Sequence, residues 1–170
     1  MIIVGGKDSW MATDLLKENK IPVIIGTNFE VPDKRDADYD AVYKLARQLY
    51  EGGVKYCIST GSADNPGGET NLRNLPFEAG LAVAYGLPND EGYKSISLYP
   101  AQILGLSDKI GSIENGKAAS VIVTDGDPLE VLTNIEQIFI DGKNIPMISH
   151  HTEMRDKYDA KYKQKKSYVK

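Results

Sequence analysis

Short apolar runs and longer amphipathic stretches alternate through the first part of the chain. The apolar runs, at residues 1–4, 21–25 and 54–59, are rich in β-branched side chains and lack the polar–apolar alternation of a strand with one wet face. Each run therefore predicts a buried strand. Apolar residues at helical spacing between the runs predict one helix after Asp8, as its N-cap, and a second helix ending at Gly52–Gly53. The order β-α-β-α-β indicates a parallel sheet covered on both faces.

The middle of the chain is predicted to be helical after a long polar loop. Residues 60–74 are rich in glycine and asparagine, which is typical of a loop. Asn74 is in position to cap the next helix, and Gly86 is in position to end it. Residues 88–98 and 99–105 predict a second helix and a short third one.

Two strands and a charged tail complete the predicted elements. The strands are expected at residues 120–124 and 135–140. The tail that follows is rich in lysine and nearly free of aliphatic side chains. Its aromatic and thioether residues recur every four positions, which permits a helix with one thin apolar stripe, and a disordered tail is the alternative. The residues of this stripe are Met154, Tyr158 and Tyr162.

Composition narrows the possible partners and locations. The formal net charge of −4 argues against a nucleic acid or an anionic membrane surface, because both need a basic face on the protein. No apolar run approaches the roughly 20 residues of a membrane span. The single cysteine, Cys57, cannot form an internal disulfide, so we expect a cytoplasmic protein. Its apolar neighbours predict that Cys57 is a small buried residue.

The stretch from residue 98 to residue 146 carries a dense motif. It reads LYPAQILGLSDKIGSIENGKAASVIVTDGDPLEVLTNIEQIFIDGKNIP. This stretch resembles the end of amidohydrolase-superfamily chains, where ILGL, IGS, GK and DGDPL follow one another in the same order. Asp125 and Asp127 of the DGDPL segment are expected to hydrogen-bond their own turn. The matching positions are Pro100, Ala101, Ile103, Leu104, Gly105, Ile110, Gly111, Ser112, Glu114, Gly116, Lys117, Asp125, Gly126, Asp127, Pro128 and Gly142.

The resemblance implies an α/β fold made of two pieces and a tail. The first piece, residues 1–105, would be the last three βα units of a TIM-like (β/α)8 barrel, with the three early apolar runs as its sixth, seventh and eighth strands. Residues 106–148 would form part of a composite β-sandwich, and residues 149–170 a charged tail of helical character. The first five barrel strands are absent from this sequence. Between residues 71 and 105 the chain resembles the branch related to imidazolonepropionases.

The family's chemistry is metal-assisted hydrolysis of carbon–nitrogen bonds other than peptide bonds. One or two divalent ions, usually zinc, lower the pKa of a bound water and polarise the bond that is cleaved. In the family the ligands are histidines on the first, fifth and sixth strands and an aspartate on the eighth strand. That aspartate also serves as the general base.

The two family positions that this sequence does contain are occupied by glycine. Gly5 stands near the position of the sixth-strand histidine, and Gly61 falls on the position of the catalytic aspartate. Glycine can neither bind a metal nor accept a proton through a side chain, so we expect no metal ligand and no cofactor in this chain, and the sequence identifies no residue as catalytic. His150 and His151 lie far along the chain, in the tail, where an exposed turn is the simpler interpretation.

The loop after the third strand holds the candidate substrate-binding residues, which are Ser62, Asp64, Asn65 and Arg73. Small residues at a strand end, followed by a helix N-terminus, can hold an anion, and a plain glycine-rich loop is the alternative. Arg73 could bind a carboxylate or could simply be solvated.

Two functions remain open at this point. The chain could be the C-terminal portion of an amidohydrolase-like hydrolase with a small-molecule substrate, inactive alone because the metal ligands are absent from it. It could instead be a catalytically inactive relative that acts as a binding or assembly module. Three barrel strands leave open sheet edges and an uncovered apolar face, so we expect a homo-oligomer or pairing with the missing half of the barrel.

Overall fold

Two sheets and several helices build the part of the chain that the computed structural model describes, residues 1–32, 34–61 and 68–165. The α/β prediction is confirmed. The strands are β1 (Ile3–Val4), β2 (Val23–Ile25), β3 (Tyr56–Ile58), β4 (Val121–Thr124), β5 (Ile135–Ile140) and β6 (Lys143–Ile145). The helices are α1 (Thr13–Glu18), α2 (Ala41–Glu51), α3 (Leu75–Ala84), α4 (Asn89–Ile96), α5 (Leu98–Ile103) and α6 (His150–Lys165), with 3-10 helices at Ser9–Ala12 and Gly68–Asn74.

The first sheet is parallel, in the order β1-β2-β3, as the sequence predicts. Ile3 lies opposite Val23, and Val23 lies opposite Tyr56. β2 and β3 carry the core, where Val23 and Tyr56 are at most 1% exposed. The prediction that all three strands are buried is wrong for β1, because Val4 is 52% exposed. β1 lies at the edge of the described sheet, so only one of its sides has a neighbouring strand.

Four helices end in the same hydrogen-bonded cap. After α1 the Ile21 N–H donates to the Leu16 carbonyl at 2.9 Å, which closes a Schellman motif. The residue inside this cap, Lys20, has φ +53°, a left-handed conformation that favours glycine. The predicted helix ends at glycine are confirmed, since α2, α3 and α5 close in the same way. Their left-handed residues are Gly53 (φ +68°), Gly86 (φ +99°) and Gly105 (φ +71°).

Two predicted N-caps stand in the right place but do not cap. Asp8 precedes the 3-10 helix and Asn74 precedes α3, and neither side chain hydrogen-bonds to its helix. The reason is the backbone. A capping residue needs extended dihedral angles, whereas Asp8 has φ −97° and ψ 8° and Asn74 has φ −91° and ψ −2°. The Asp8 carboxylate instead pairs with Lys34 at 2.8 Å.

The turn between β4 and β5 inserts Leu129 between α3 and α4. Leu129 is 5% exposed and belongs to the same core as β2 and β3. Two glycines make room for it. A Cβ at Gly80 of α3 would lie 2.5 Å from the Leu129 carbonyl oxygen, and a Cβ at Gly92 of α4 would lie 3.0 Å from Leu129 Cδ1.

Asp127 fixes this turn from the other side. Its Oδ1 accepts the Leu129 N–H at 2.8 Å, which confirms the expected bond within the turn. Two further bonds, which the sequence did not predict, come from α4: the Tyr93 hydroxyl donates to Oδ1 at 2.5 Å, and Asn89 Nδ2 donates to Oδ2 at 2.9 Å. Asp125 accepts from the N–H of Asn134 at 2.8 Å, so it closes the loop ahead of β5.

The second sheet is antiparallel, in the order β4-β5-β6. The sequence predicted β4 and β5 but missed β6, which is short and polar. The missed signal was the pair Asp141-Gly142, whose φ angles of +49° and +76° suit the two-residue turn of a hairpin. Much of this sheet is exposed, including Ile122 at 48% and Ile140 at 52%.

The tail forms α6, so the helix prediction is confirmed over residues 150–165 and the disordered alternative is wrong there. Tyr158 and Tyr162 are 49% and 62% exposed, and the aromatic stripe is not buried. The remainder of the predicted tail, residues 166–170, lies outside the described residues. In the described ranges no helix is long and apolar enough to cross a membrane.

Candidate functional site at the carboxyl ends of the parallel strands

The carboxyl ends of β1, β2 and β3 meet at one edge of the first sheet. The backbone pairing continues past each strand, because the Gly5 N–H donates to the Ile24 carbonyl at 2.9 Å and the Ser59 N–H donates to the Ile25 carbonyl at 3.0 Å. Loops at this edge of a parallel sheet are where ligands bind in open α/β sheets and in barrels. Of the candidate positions from the sequence, Gly5 and Gly61 are among the described residues, Gly5 directly after β1 and Gly61 three residues after β3.

Gly5 follows β1 with φ +88°, and a Cβ built there would have no heavy atom within 4 Å. The space beside it is therefore open, but the backbone conformation is one that side chains rarely adopt. A histidine at this position would need a different local backbone.

The chain after β3 is described as far as Gly61. Thr60 is buried at 4% exposure, and the Gly61 N–H donates a long bond of 3.4 Å to Ser59 Oγ. Three of the four candidate substrate-binding residues, Ser62, Asp64 and Asn65, lie outside the described residues, so the predicted anion-binding loop stays a prediction.

Arg73 lies in the last turn of the 3-10 helix Gly68–Asn74, which leads into α3. Its side chain is exposed and forms no ion pair with any residue that the structure describes. Both interpretations of Arg73, as a carboxylate-binding residue or as a solvated one, therefore stay open.

A buried carboxylate that the site prediction did not include lies at this edge. Glu78 of α3 is 1% exposed and reaches the loop after β2. Its Oε1 accepts the Thr27 hydroxyl at 2.5 Å, and its Oε2 accepts the Asn28 N–H at 2.5 Å. Asn28 is fully buried, and its Nδ2 donates to the Glu78 carbonyl at 3.0 Å. Within the described part of the chain, Asn28 Oδ1 has no hydrogen-bond partner.

The hydrogen-bond donors around the Glu78 carboxyl are neutral groups. Burial raises the pKa of the Glu78 carboxyl, while the Thr27 hydroxyl and the N–H groups of Asn28 and Phe29 act in the opposite direction. No lysine or arginine of the described ranges pairs with it. The sequence did hold a signal, because Glu78 is the one charged residue of α3, LPFEAGLAVA, and an ionisable group on an apolar helix face usually has a specific partner.

Cys57 lies in the middle of β3, and the two histidines begin α6. Cys57 is 3% exposed, and burial raises its pKa to about 11, so the thiol is protonated at neutral pH and the predicted packing role is confirmed. His150 and His151 are exposed, as predicted, but they begin α6 rather than forming a turn. Their ring centroids are 6.3 Å apart.

The residues that the structure describes contain no cluster of three histidine, cysteine, aspartate or glutamate side chains suited to a metal ion. The donor set at the strand ends agrees with this, because Gly5 and Gly61 bring no ligand atom from a side chain.

The sequence matches the model of the amidohydrolase family over residues 8–146. The amidohydrolase tasK of Hapsidospora irregularis is 36% identical over 104 residues, which are 61% of this chain and 10% of that protein. The imidazolonepropionase of Syntrophobacter fumaroxidans is 33% identical over 91 residues, which are 53% of this chain and 21% of that enzyme.

A solved structure shows the same relationship. The amidohydrolase from Thermotoga maritima MSB8 superposes with a TM-score of 0.73 at 30% identity, over 85% of this chain and 36% of that one. This chain thus spans a tenth to about a fifth of the two curated relatives, and about a third of the solved chain. With the family match extending over most of its length, the chain belongs to the amidohydrolase family.

Proposed function

We propose that this chain is the carboxyl-terminal portion of an amidohydrolase that hydrolyses carbon–nitrogen bonds other than peptide bonds. The observation that carries the proposal is the family match over residues 8–146, combined with a parallel sheet that is followed by an antiparallel one. In this proposal β1, β2 and β3 are the sixth, seventh and eighth strands of a (β/α)8 barrel. Residues 1–105 are barrel, residues 106–148 are part of a β-sandwich, and residues 149–170 are the tail.

The chain supplies scaffold and loops in this proposal rather than the metal site. Zinc serves many members of the wider family as a Lewis acid and as an activator of water. The residues present here do not fit it, because glycine occupies the positions of the sixth-strand histidine and the eighth-strand aspartate. The small-molecule substrate would contact the loop after β3 through Ser62, Asp64, Asn65 and Arg73.

Assembly with a further polypeptide, either a second copy or the remaining barrel strands, forms part of the proposal. Apolar side chains on and beside β1 are exposed, among them Met1 at 90%, Ile2 at 41% and Val4 at 52%. Soluble proteins seldom leave such an edge and such a patch uncovered. Sedimentation at high micromolar concentration would measure this directly, and a well-behaved monomer would count against it.

The second candidate function is that of a catalytically silent assembly module. The observation in its favour is Gly5, whose left-handed φ of +88° opposes a histidine even though space is available. The absence of the sixth-strand histidine would then go together with a changed backbone conformation at Gly5, and a single substitution of Gly5 by histidine would not restore the ligand.

The two functions are separated by comparing the 170-residue chain with the product of the complete open reading frame that encodes it. Zinc content and hydrolysis of a panel of cyclic and linear amides are measured for both. Zinc and turnover in the longer product alone would support the hydrolase. Neither zinc nor turnover in either form would support the assembly module, and turnover by the 170-residue chain would contradict both.

A further inference from the structure

A cavity of about 390 Å³ lies between the 3-10 helix Ser9–Ala12 and α2. Its apolar lining comes from Trp10 and Met11 on one side and from Val42 and Leu45 on the other. Cavities of this size and lining hold small molecules in many proteins. Neither Gly5, Gly61 nor Arg73 lines it, so it is separate from the candidate residues at the strand ends.

The positive charges at this cavity already have partners. Three lysines line it, and each forms an ion pair with a carboxylate. The pairs are Lys7 with Glu30 at 2.6 Å, Lys34 with Asp8 at 2.8 Å, and Lys44 with Asp40 at 2.7 Å. These ammonium groups would have to give up a carboxylate before they could bind an anionic ligand.

Two further carboxylates at the cavity form no ion pair within 4 Å among the described residues. Asp36 and Asp38 line its wall, both are exposed, and neither forms an ion pair or a side-chain hydrogen bond with another residue of the described ranges. The N-terminus of α2 brings about half a positive elementary charge into the same region, which two full negative charges outweigh. Asp36 also attracts the Lys34 ammonium group, and Asp38 attracts that of Lys44, so the two carboxylates are partly compensated. With three lysines set against these two carboxylates and the three that form ion pairs, the cavity and its ion-pair partners still carry a surplus of negative charge.

The remaining polar and aromatic groups suit the same kind of ligand. Gln48 lines the cavity, and its Oε1, which has no hydrogen-bond partner among the described residues, is itself buried, so a ligand would reach it only after a change of the side-chain rotamer. Trp10 is 41% exposed, which leaves its ring available to a ligand. A cation over an indole face is attracted by the ring quadrupole, and this attraction is strongest for tryptophan among the aromatic side chains.

We propose that this cavity binds a small organic cation, a primary ammonium group carried on an apolar body. The body would pack against Trp10, Met11 and Leu45, and the ammonium group would lie beside Asp36 and Asp38. This site is independent of the hydrolytic function proposed above, because none of its residues takes part in that proposal.

The test uses Trp10, the one tryptophan of the chain, as a built-in reporter. Its fluorescence is titrated with phenethylammonium chloride, and in parallel with phenethyl alcohol and sodium phenylacetate, which share the apolar body but are neutral and anionic. We expect saturable quenching by the cation, with an apparent affinity about fivefold above that of the alcohol and more above that of phenylacetate. The preference for the cation should shrink as sodium chloride is raised.

Two sets of variants test whether Asp36 and Asp38 cause the preference for the cation. The double substitution Asp36→Asn and Asp38→Asn should abolish the preference for the cation over the alcohol while leaving the circular dichroism spectrum unchanged, because both side chains are exposed. Asp108→Asn removes an exposed carboxylate away from the cavity and should leave the preference intact. Equal responses to the three probes, a preference that survives the double substitution, or no saturable quenching by phenethylammonium would each overturn the proposal.

Discussion

The Tyr93 hydroxyl donates to Asp127 Oδ1 at 2.5 Å and joins α4 to the turn between β4 and β5, across 34 positions of sequence. The bond affects both groups. It lowers the pKa of the Asp127 carboxyl, with further help from Asn89 and the Leu129 N–H. The pKa of Tyr93 is raised to about 12, first by burial and then by this bond. A contact of this kind holds the second sheet against the helices of the first.

We expect Tyr93→Phe to lower the free energy of unfolding by about 1 kcal/mol, since it removes one hydrogen bond to a charged acceptor that is partly exposed. A double-mutant cycle with Asp127→Ala, measured by urea unfolding, should show a coupling energy of similar size. Because the folded pKa of Asp127 is lowered, its contribution is present at neutral pH and is lost as pH falls through the folded value. On going from neutral to acid pH, the Tyr93→Phe variant should therefore lose less stability than the wild type. If the effects of Tyr93→Phe and Asp127→Ala are strictly additive, the bond is not formed.

The contribution of Glu78 to the free energy of unfolding should change with pH in the direction opposite to that of Asp127. Burial raises its folded pKa above the unfolded value, so folding is favoured most below the unfolded pKa, and this contribution is lost as pH rises through the folded pKa. The urea midpoint is measured for the wild type and for Glu78→Gln between pH 4 and pH 8. The difference, wild type minus variant, should decline as the pH rises. The control is Glu136→Gln in β5, which removes an exposed carboxylate by the same chemical change. A rising difference for Glu78→Gln would show that the three donors outweigh burial.

Lys20 is the one non-glycine residue among the four Schellman caps of α1, α2, α3 and α5. Lys20→Gly should raise the free energy of unfolding by about 0.5–1 kcal/mol, because a side chain at φ +53° is strained. The nearby substitution Glu18→Gly, at the last residue of α1, should instead lower it, since glycine is a poor helix former. Thermal and urea unfolding measure both variants. Loss of stability in both would indicate that Lys20 contributes contacts that outweigh its strain.

Gly80→Ala tests the docking of Leu129 through the sign of its effect. In a free helix this change stabilises by roughly 1 kcal/mol. Here the new Cβ would lie 2.5 Å from the Leu129 carbonyl oxygen, a backbone atom that cannot move alone. We expect a net loss of about 1–3 kcal/mol in the free energy of unfolding, measured in urea. A gain in stability would mean that the turn does not approach α3 this closely.

If Gly61 stands at the family's catalytic position, as we propose, Gly61→Asp would place a carboxylate there without the histidine ligands. One carboxylate does not hold a zinc ion that requires three or four ligands. We expect neither the wild-type chain nor this variant to retain stoichiometric zinc or to hydrolyse simple amides and cyclic ureides, with or without added metal. Elemental analysis and an amide hydrolysis assay check this. Metal-dependent turnover by the wild-type chain would direct the search for ligands to Asp64, Glu69 and Glu78.

Local patterns determined the elements of the fold and the family. Apolar runs predicted β2 and β3, and glycines marked the ends of α2 and α3, because backbone preferences and left-handed caps act within a few residues. The motif from residue 98 to residue 146 pointed to the amidohydrolase family for the same reason, since a motif is read along the chain. The polar β6 was missed because its strand signal lies in its turn, Asp141-Gly142.

Tertiary packing alone decided which distant groups meet. Glu78 accepts a hydrogen bond from the N–H of Asn28, which lies 50 positions earlier in the sequence. Asp127 accepts one from the Tyr93 hydroxyl in addition to the bond within its own turn. It also decided that Asp8 pairs with Lys34 instead of capping a helix, and that Trp10 and Asp38 share a cavity. The sequence shows that such residues carry charge or apolar area. Their partners depend on how helices and loops pack in space, and a pattern that repeats every two to four residues holds no information over that distance.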